Sequence, residues 1–305
     1  MISTAQEIDR IDTDSAALSF VKKQSDQNGT VHLSAPKPLL SSSLDSLYTR
    51  LYNIKCFEKA DFDNNGFTDL LFNGYLDTHF DNLHCERISL VILSFGRDSF
   101  QVKNISGEDH RAFSAGMLIN SGDRPAGIHM VQANFEWARK ENLFYISEKK
   151  DTLGYAYDHF IENIDPSSHI IEKIKFSFSP GLILEWKFYT MTFTADTAWL
   201  ESEVFQEDKI CTRKYFMRVN TALWQRLTGL LNQINFPRLK DNYSINQTCN
   251  STGYLFVKYD NAQMKSVKDY GLSGTYGLKA IQELLMETEA SPLWQLLDET
   301  DASGF

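Results

Sequence analysis

Cys56-Phe57-Glu58-Lys59-Ala60-Asp61-Phe62-Asp63-Asn64-Asn65-Gly66-Phe67-Thr68-Asp69-Leu70-Leu71-Phe72-Asn73-Gly74 decides how the first half of this chain is read. Its two arms, Cys56 to Phe62 and Leu70 to Tyr75, have the apolar and aromatic content of strands, and the acidic centre reads as the turn joining them. Within Asp61–Asp69, oxygen-bearing side chains fall at the first, third, fifth and ninth positions: Asp61, Asp63, Asn65 and Asp69. Gly66 at the sixth position permits the sharp turn that gathers them. Phe67 at the seventh can lend its backbone carbonyl. A calcium ion takes about six to eight oxygens, and this spacing wraps them around one point. Asp61, Asp63, Asn65, Phe67 and Asp69 are therefore the expected ligands, and Ca²⁺ or another hard cation the expected cofactor. The competing reading is an Asx-rich turn in which Asp63, Asn64 and Asn65 hydrogen-bond their own backbone with no metal.

The first positions of the loop are similar to an EF-hand loop, but the twelfth, where that motif has a bidentate Glu, is Phe72, and the flanks have strand rather than helix character. The pattern resembles more closely the D-x-D-x-D/N-G-x-x-D loop of FG-GAP or VCBS-type repeats, which occur in β-propellers such as integrin head domains. Ala60 before the loop and Leu70-Leu71-Phe72-Asn73-Gly74 after it fit that pattern as well. The resemblance covers one copy and implies a calcium loop. A propeller needs several blades, so none is expected.

Outward from the loop, Asp14–Lys23 reads as a short helix with Leu18 and Val21 on its apolar side, and residues 25–42, with Gly29, Pro36 and Pro38, as a linker. Leu44, Leu47, Tyr48 and Leu51 recur at helical spacing. Arg87–Phe95 and Phe100–Ile105 read as a strand pair, and short strands follow at Met117–Ile119, Ile128–Phe135, Leu143–Ile146 and Leu153–Phe160. Asp165-Pro166-Ser167-Ser168 is the expected boundary. Beyond it, Ile170–Phe178, Trp186–Phe193, Ala198–Phe205 and Lys214–Val219 read as strands, and Asn220 or Thr221 caps a helix that Pro237 ends. A hairpin of Gly253–Tyr259 with Met264–Tyr270 precedes a last helix marked by Leu278, Ile281, Leu284 and Leu285. The fold class is thus α+β: a β-rich N-terminal part with short leading helices, and a C-terminal antiparallel sheet packed with two helices. The expected division is 1–42 (helix and linker), 43–165 (β-rich domain), 166–292 (α+β domain) and 293–305 (acidic tail).

Lys173-Ile174-Lys175-Phe176-Ser177, Phe236-Pro237-Arg238-Leu239-Lys240-Asp241-Asn242-Tyr243-Ser244 and Lys268-Asp269-Tyr270-Gly271-Leu272-Ser273-Gly274-Thr275-Tyr276-Gly277-Leu278 resemble an uncharacterised domain family common in Bacteroidetes proteins. Family members typically follow the first strand with a cysteine-bearing F-G-T-C-P turn. Here the turn is Ser179-Pro180-Gly181-Leu182-Ile183, without cysteine. The family has no known activity, so the resemblance implies architecture only. The Gly271/Gly274/Gly277 stretch can be compared with a phosphate loop, but it lacks the P-loop Lys and a βαβ setting. It reads as a hairpin exit and helix cap.

The net charge of −10 and the absence of a Lys/Arg cluster exclude a nonspecific nucleic-acid binder. No apolar run reaches the roughly 20 residues of a membrane span, and Met1–Gln24 lacks a secretory apolar region. The chain as written is expected in the cytoplasm, with export possible if its start is mis-assigned. The four cysteines have no zinc spacing, His79 and His84 lie outside any H-x-x-x-H pattern, and no nucleophile elbow occurs. Trp186, Trp199 and Trp224 read as core or strand-face packing rather than a ligand platform. The leading functional reading is a non-enzymatic binding or accessory protein with one structural Ca²⁺ loop and an unknown protein partner. The alternatives are a partner-neutralising, immunity-like protein, whose acidity suits a basic partner, and a hydrolase with a scattered site.

Overall fold

A computed structural model describes residues 7–26, 33–34, 43–77, 85–96, 99–106, 113–119, 126–138, 143–162, 164–181, 187–206, 209–245 and 248–302. The chain is α+β and forms two compact units, Met1–Ala156 and Tyr157–Phe305. The division falls ahead of the Asp165–Ser168 stretch suggested by the sequence. His79, His84, Trp186, Leu182, Ile183 and most of the 25–42 linker lie outside the described residues.

The first unit carries α1 (Asp14–Asp26), β1 (Leu33–Ser34), α2 (Ser43–Leu51), β2 (Phe57–Ala60), β3 (Asp69–Asp77), β4 (Cys85–Ser94), β5 (Phe100–Asn104), β6 (Phe113–Ile119), β7 (Gly127–Ala138) and β8 (Leu143–Ala156). Strands β3, β4 and β5 form an antiparallel sheet, and the free edge of β3 is shared by β2 and β1. Strands alternate their side chains, so Leu70, Phe72, Ile88, Leu90 and Ile92 share one face. That face buries Ala17, Phe20 and Val21 of α1, together with Ile8 and Ile11 ahead of it. The leading helix is therefore part of the first core. On the opposite face, Asn73 is 3% exposed yet fully engaged. Its Nδ2 donates to the Lys55 and Gly116 carbonyls, and its Oδ1 accepts from Gly116 N–H and Ser89 Oγ. These bonds tie the sheet to β6, which pairs with β7, which pairs with β8. The apolar face expected for the second helix is only partly buried. Tyr48 packs on Phe113, with ring centroids 5.1 Å apart, whereas Leu47 and Leu51 are exposed.

The second unit carries β9 (His159–Glu162), β10 (Ile171–Ser179), β11 (Lys187–Phe193), β12 (Thr197–Gln206), β13 (Lys209–Arg218), α3 (Thr221–Gln233), β14 (Asn242–Ser244), β15 (Thr252–Tyr259), β16 (Gln263–Tyr270), α4 (Tyr276–Glu289) and β17 (Gln295–Ala302). An eight-stranded sheet runs β14-β16-β15-β10-β11-β12-β13-β17. It is antiparallel except that β14 runs parallel to β16. One face presents Ile174, Phe176, Met191, Phe193, Leu255 and Val257, all buried. The helices bury Leu227, Leu230 and Leu231 of α3 and Leu278, Ile281 and Leu285 of α4. Asn220 caps α3 by accepting from Leu223 N–H. Residues expected as an acidic tail instead form β17, an edge strand on β13. Charge complements the pairing: Arg213 stands opposite Glu299, with its Nε 3.0 Å from Glu299 Oε1, and Lys214 stands opposite Asp298 in the register.

Candidate metal centre

The loop expected from the sequence is the connection between β2 and β3, closed by the pairing of Ala60 with Asp69. Asn64 has φ 59° and Gly66 φ 85°, so the chain reverses through two left-handed residues, one of them glycine. Phe67 places its ring over Gly96 in the β4–β5 turn, where a Cβ would lie 2.9 Å from the ring, so the close approach depends on that glycine.

Each carboxylate binds the turn it helps to form. Asp61 Oδ1 accepts from Asn65 N–H at 3.1 Å, and Asp61 Oδ2 accepts from Gly66 N–H at 2.8 Å. Asp63 Oδ1 also accepts from Asn65 N–H at 3.1 Å. Asp69, 0% exposed, anchors the loop to its surroundings, with Oδ2 accepting from Phe62 N–H and Oδ1 from Ser94 N–H, both at 2.8 Å. Ser94 belongs to β4, and its carbonyl also accepts from Asn65 Nδ2 at 2.8 Å. Nothing in the local loop pattern points to this partner, which lies 25 residues beyond Asp69.

Carboxylate oxygens of Asp61, Asp63 and Asp69 come within 4.8 Å of one another. Among the described residues, no basic side chain forms an ion pair with any of the three. Burial pushes the Asp69 carboxyl up to about 7; the Asp63 and Asp61 charges push the same way, and the Ser94 and Phe62 N–H groups oppose them. Asp63 is also raised, first by desolvation and then by Asp61, against the Asn65 N–H bond. Three of the five expected ligands thus converge as carboxylates. Asn65 is adjacent but turned otherwise: its Oδ1 accepts from Phe67 N–H at 2.8 Å, and its Nδ2 faces Asp63 Oδ2 at 2.9 Å. Phe67 belongs to the same turn through that bond. The donor set is all oxygen, which suits a hard cation. Asp61 and Asp63 are partly exposed, so an ion can approach from solvent.

The glycine stretch in the second unit is organised differently. Asp269, 0% exposed, accepts from Ser273 N–H at 2.9 Å, Gly274 N–H at 3.2 Å and Gln282 Nε2 at 3.2 Å. The start of α4 is closed by Thr275 Oγ1, which accepts from Leu278 N–H, and by Glu162, whose two oxygens accept from Tyr276 N–H at 2.6 Å and Gly277 N–H at 2.8 Å. The amides that a phosphate would need are bound to the protein's own carboxylate. This supports the reading as hairpin exit and helix cap.

No described helix is long and apolar enough to cross a membrane. Among the described cysteines, Cys211 is buried, Cys56 half-buried and Cys249 exposed. No curated protein and no solved structure matches the chain. Residues 200–289, from β12 through α4, match the model of a domain of unknown function, DUF6438.

Proposed function

We propose that this is a non-enzymatic binding or accessory protein in which Asp61–Asp69 is a structural Ca²⁺ site. One observation carries the cation: Asp61, Asp63 and Asp69 converge within 4.8 Å with no basic partner among the described residues. Like charges in a partly desolvated site repel, and a divalent cation turns that repulsion into attraction. The three carboxylates would supply the charge, Asn65 would offer its amide oxygen after turning the amide, and Phe67 would add its carbonyl. The ion's role is to fix the β2–β3 connection against β4. The loop holds no serine, cysteine or histidine, so no chemistry is assigned to it.

Thermal unfolding in EDTA and then in millimolar Ca²⁺, with Asp63→Ala as control, tests the reading. An ion at 100 times its Kd adds about 2.7 kcal/mol, worth several degrees in a unit of this size. The expected result is a calcium-dependent rise that Asp63→Ala removes. An unchanged midpoint up to several millimolar Ca²⁺ leaves the loop as a metal-free Asx turn.

A further inference from the structure

The face of the eight-stranded sheet away from α3 and α4 carries a cavity of about 400 Å³, bounded by β10–β13 and β17. That size falls within the usual range of small-molecule sites, about 300–1,000 Å³. Two adjacent rows of cross-strand neighbours build it. In one, Lys175, Thr192 and Trp199 follow each other on β10, β11 and β12. In the next, Thr190, Glu201, Lys214 and Asp298 follow on β11, β12, β13 and β17.

Trp199 is 51% exposed, although a tryptophan at a sheet position normally gains by burial. Its ring is held edge-on by Phe216, with centroids 5.1 Å apart and planes at 65°, so the platform is braced while half of it stays open. A second feature points to a built site. Lys214 pairs with Asp298 and Tyr215 with Leu296, so Leu297 is an extra residue on β17. This bulge breaks the alternation that would send Leu297 and Asp298 to opposite faces, and both line the cavity.

The charges choose the ligand. Lys214 stands between Glu201 and Asp298 as their cross-strand neighbour, Lys175 lines the opposite end on β10, and among the described residues none of the four is in an ion pair. An apolar ligand would desolvate all four without compensation. An anion would meet the two carboxylates, and a cation the two ammonium groups. A neutral polyol both donates and accepts, so it satisfies both sets, and the threonine hydroxyls do the same in return. Thr190 Oγ1 already lies 2.8 Å from Ser177 Oγ and keeps further capacity. We infer that this cavity binds a neutral pyranose, with the sugar's C–H face stacked on Trp199 and its hydroxyls shared among the neighbouring Glu201, Lys214 and Asp298, while Lys175 closes the far end of the cavity. The inference goes beyond the calcium loop and does not depend on it.

Saturation-transfer NMR on the full chain with the methyl α- and β-pyranosides of glucose, galactose and mannose at millimolar concentration tests it. The expected result is transfer to ring C–H protons of at least one pyranoside. Trp199→Ala should weaken that sugar at least tenfold, about 1.4 kcal/mol, and Glu201→Gln at least threefold. Both positions are exposed, and an unchanged thermal midpoint confirms that each variant is folded. If Trp199→Ala does not fold, Glu201→Gln carries the test. The inference is overturned if no pyranoside receives transfer, if transfer is undiminished in the folded variants, or if only indole or acetate, used as apolar and anionic probes, binds in the cavity.

Discussion

Asp69 in the N-terminal unit and Asp269 in the C-terminal unit are both fully buried, and each holds a chain reversal by accepting N–H groups from the turn beside it. They differ in what balances their charge. Around Asp269 the donors include the Gln282 side chain, and the nearby Glu162 sits on the first amides of α4, where the helix presents partial positive charge. Around Asp69 the neighbours are two further carboxylates, and the Asp69 carboxyl is driven up to about 7. One turn neutralises its acids with its own backbone and helix. The other gathers acids beyond what its own donors compensate, and that imbalance is the physical content of the calcium proposal.

The largest effect is expected at the compensated turn. Asp269→Ala leaves Ser273 N–H, Gly274 N–H and Gln282 Nε2 without this acceptor inside a packed unit. At roughly 1–3 kcal/mol for each buried orphan, a loss of about 3 kcal/mol or more is expected. Urea unfolding of the second unit should show it, with no response to Ca²⁺. A loss under 1 kcal/mol would mean that the Asp269 bonds do not hold this turn and would dissolve the contrast between the two sites.

A smaller effect, of characteristic sign, belongs to Asp69. Its folded pKa is raised, so its contribution to stability is fully present below the ordinary carboxylate value near 3.8 and is lost as pH rises through about 7. In EDTA the first unit should lose about 2 kcal/mol between pH 5 and pH 8 from this group. Asp69→Asn should flatten that slope whatever its absolute stability, and saturating Ca²⁺ should flatten it in the wild type. Calorimetric midpoints across the pH series decide the matter; a slope that survives Asp69→Asn would assign it to other groups.

How far each site could be read from sequence follows from how local its parts are. Asp61, Asp63, Asn65 and Asp69 lie within one turn of chain, and the turn demands a residue such as Gly66, so the loop was visible at once. Ser94, which receives Asn65 and donates to Asp69, comes from another strand and carries no motif. The α+β class, the strand pairs and both long helices followed from periodicity. β17 did not, because Asp298, Glu299 and Asp301 give it the composition of a solvated tail. Only the basic strand β13 opposite makes that acidity compatible with a sheet. Trp199 read as strand-face packing, and it does sit on a strand face. That the face is the open one, beside Lys175 and Lys214, depends on five strands coming together.

The smallest expected effect tests whether a helix end does in one unit what a cation would do in the other. Glu162→Gln keeps one acceptor oxygen and removes the charge at the start of α4. Either Tyr276 N–H or Gly277 N–H then loses its carboxylate partner, and the favourable term between an anion and the helix N-terminus, about 0.3–1 kcal/mol, goes with it. A loss of about 1 kcal/mol is expected, a few degrees in the midpoint of the second unit. Raising ionic strength should narrow the gap between variant and wild type, because screening weakens the charge term and leaves the hydrogen bond. Ca²⁺ should not close it, since the deficit on this side is of negative charge. If Ca²⁺ stabilises the Gln variant and the wild type equally and through the first unit alone, the two turns are independent answers to the burial of a carboxylate. If the Glu162→Gln loss is absent, the α4 N-terminus does not depend on Glu162, and the parallel between helix end and cation fails.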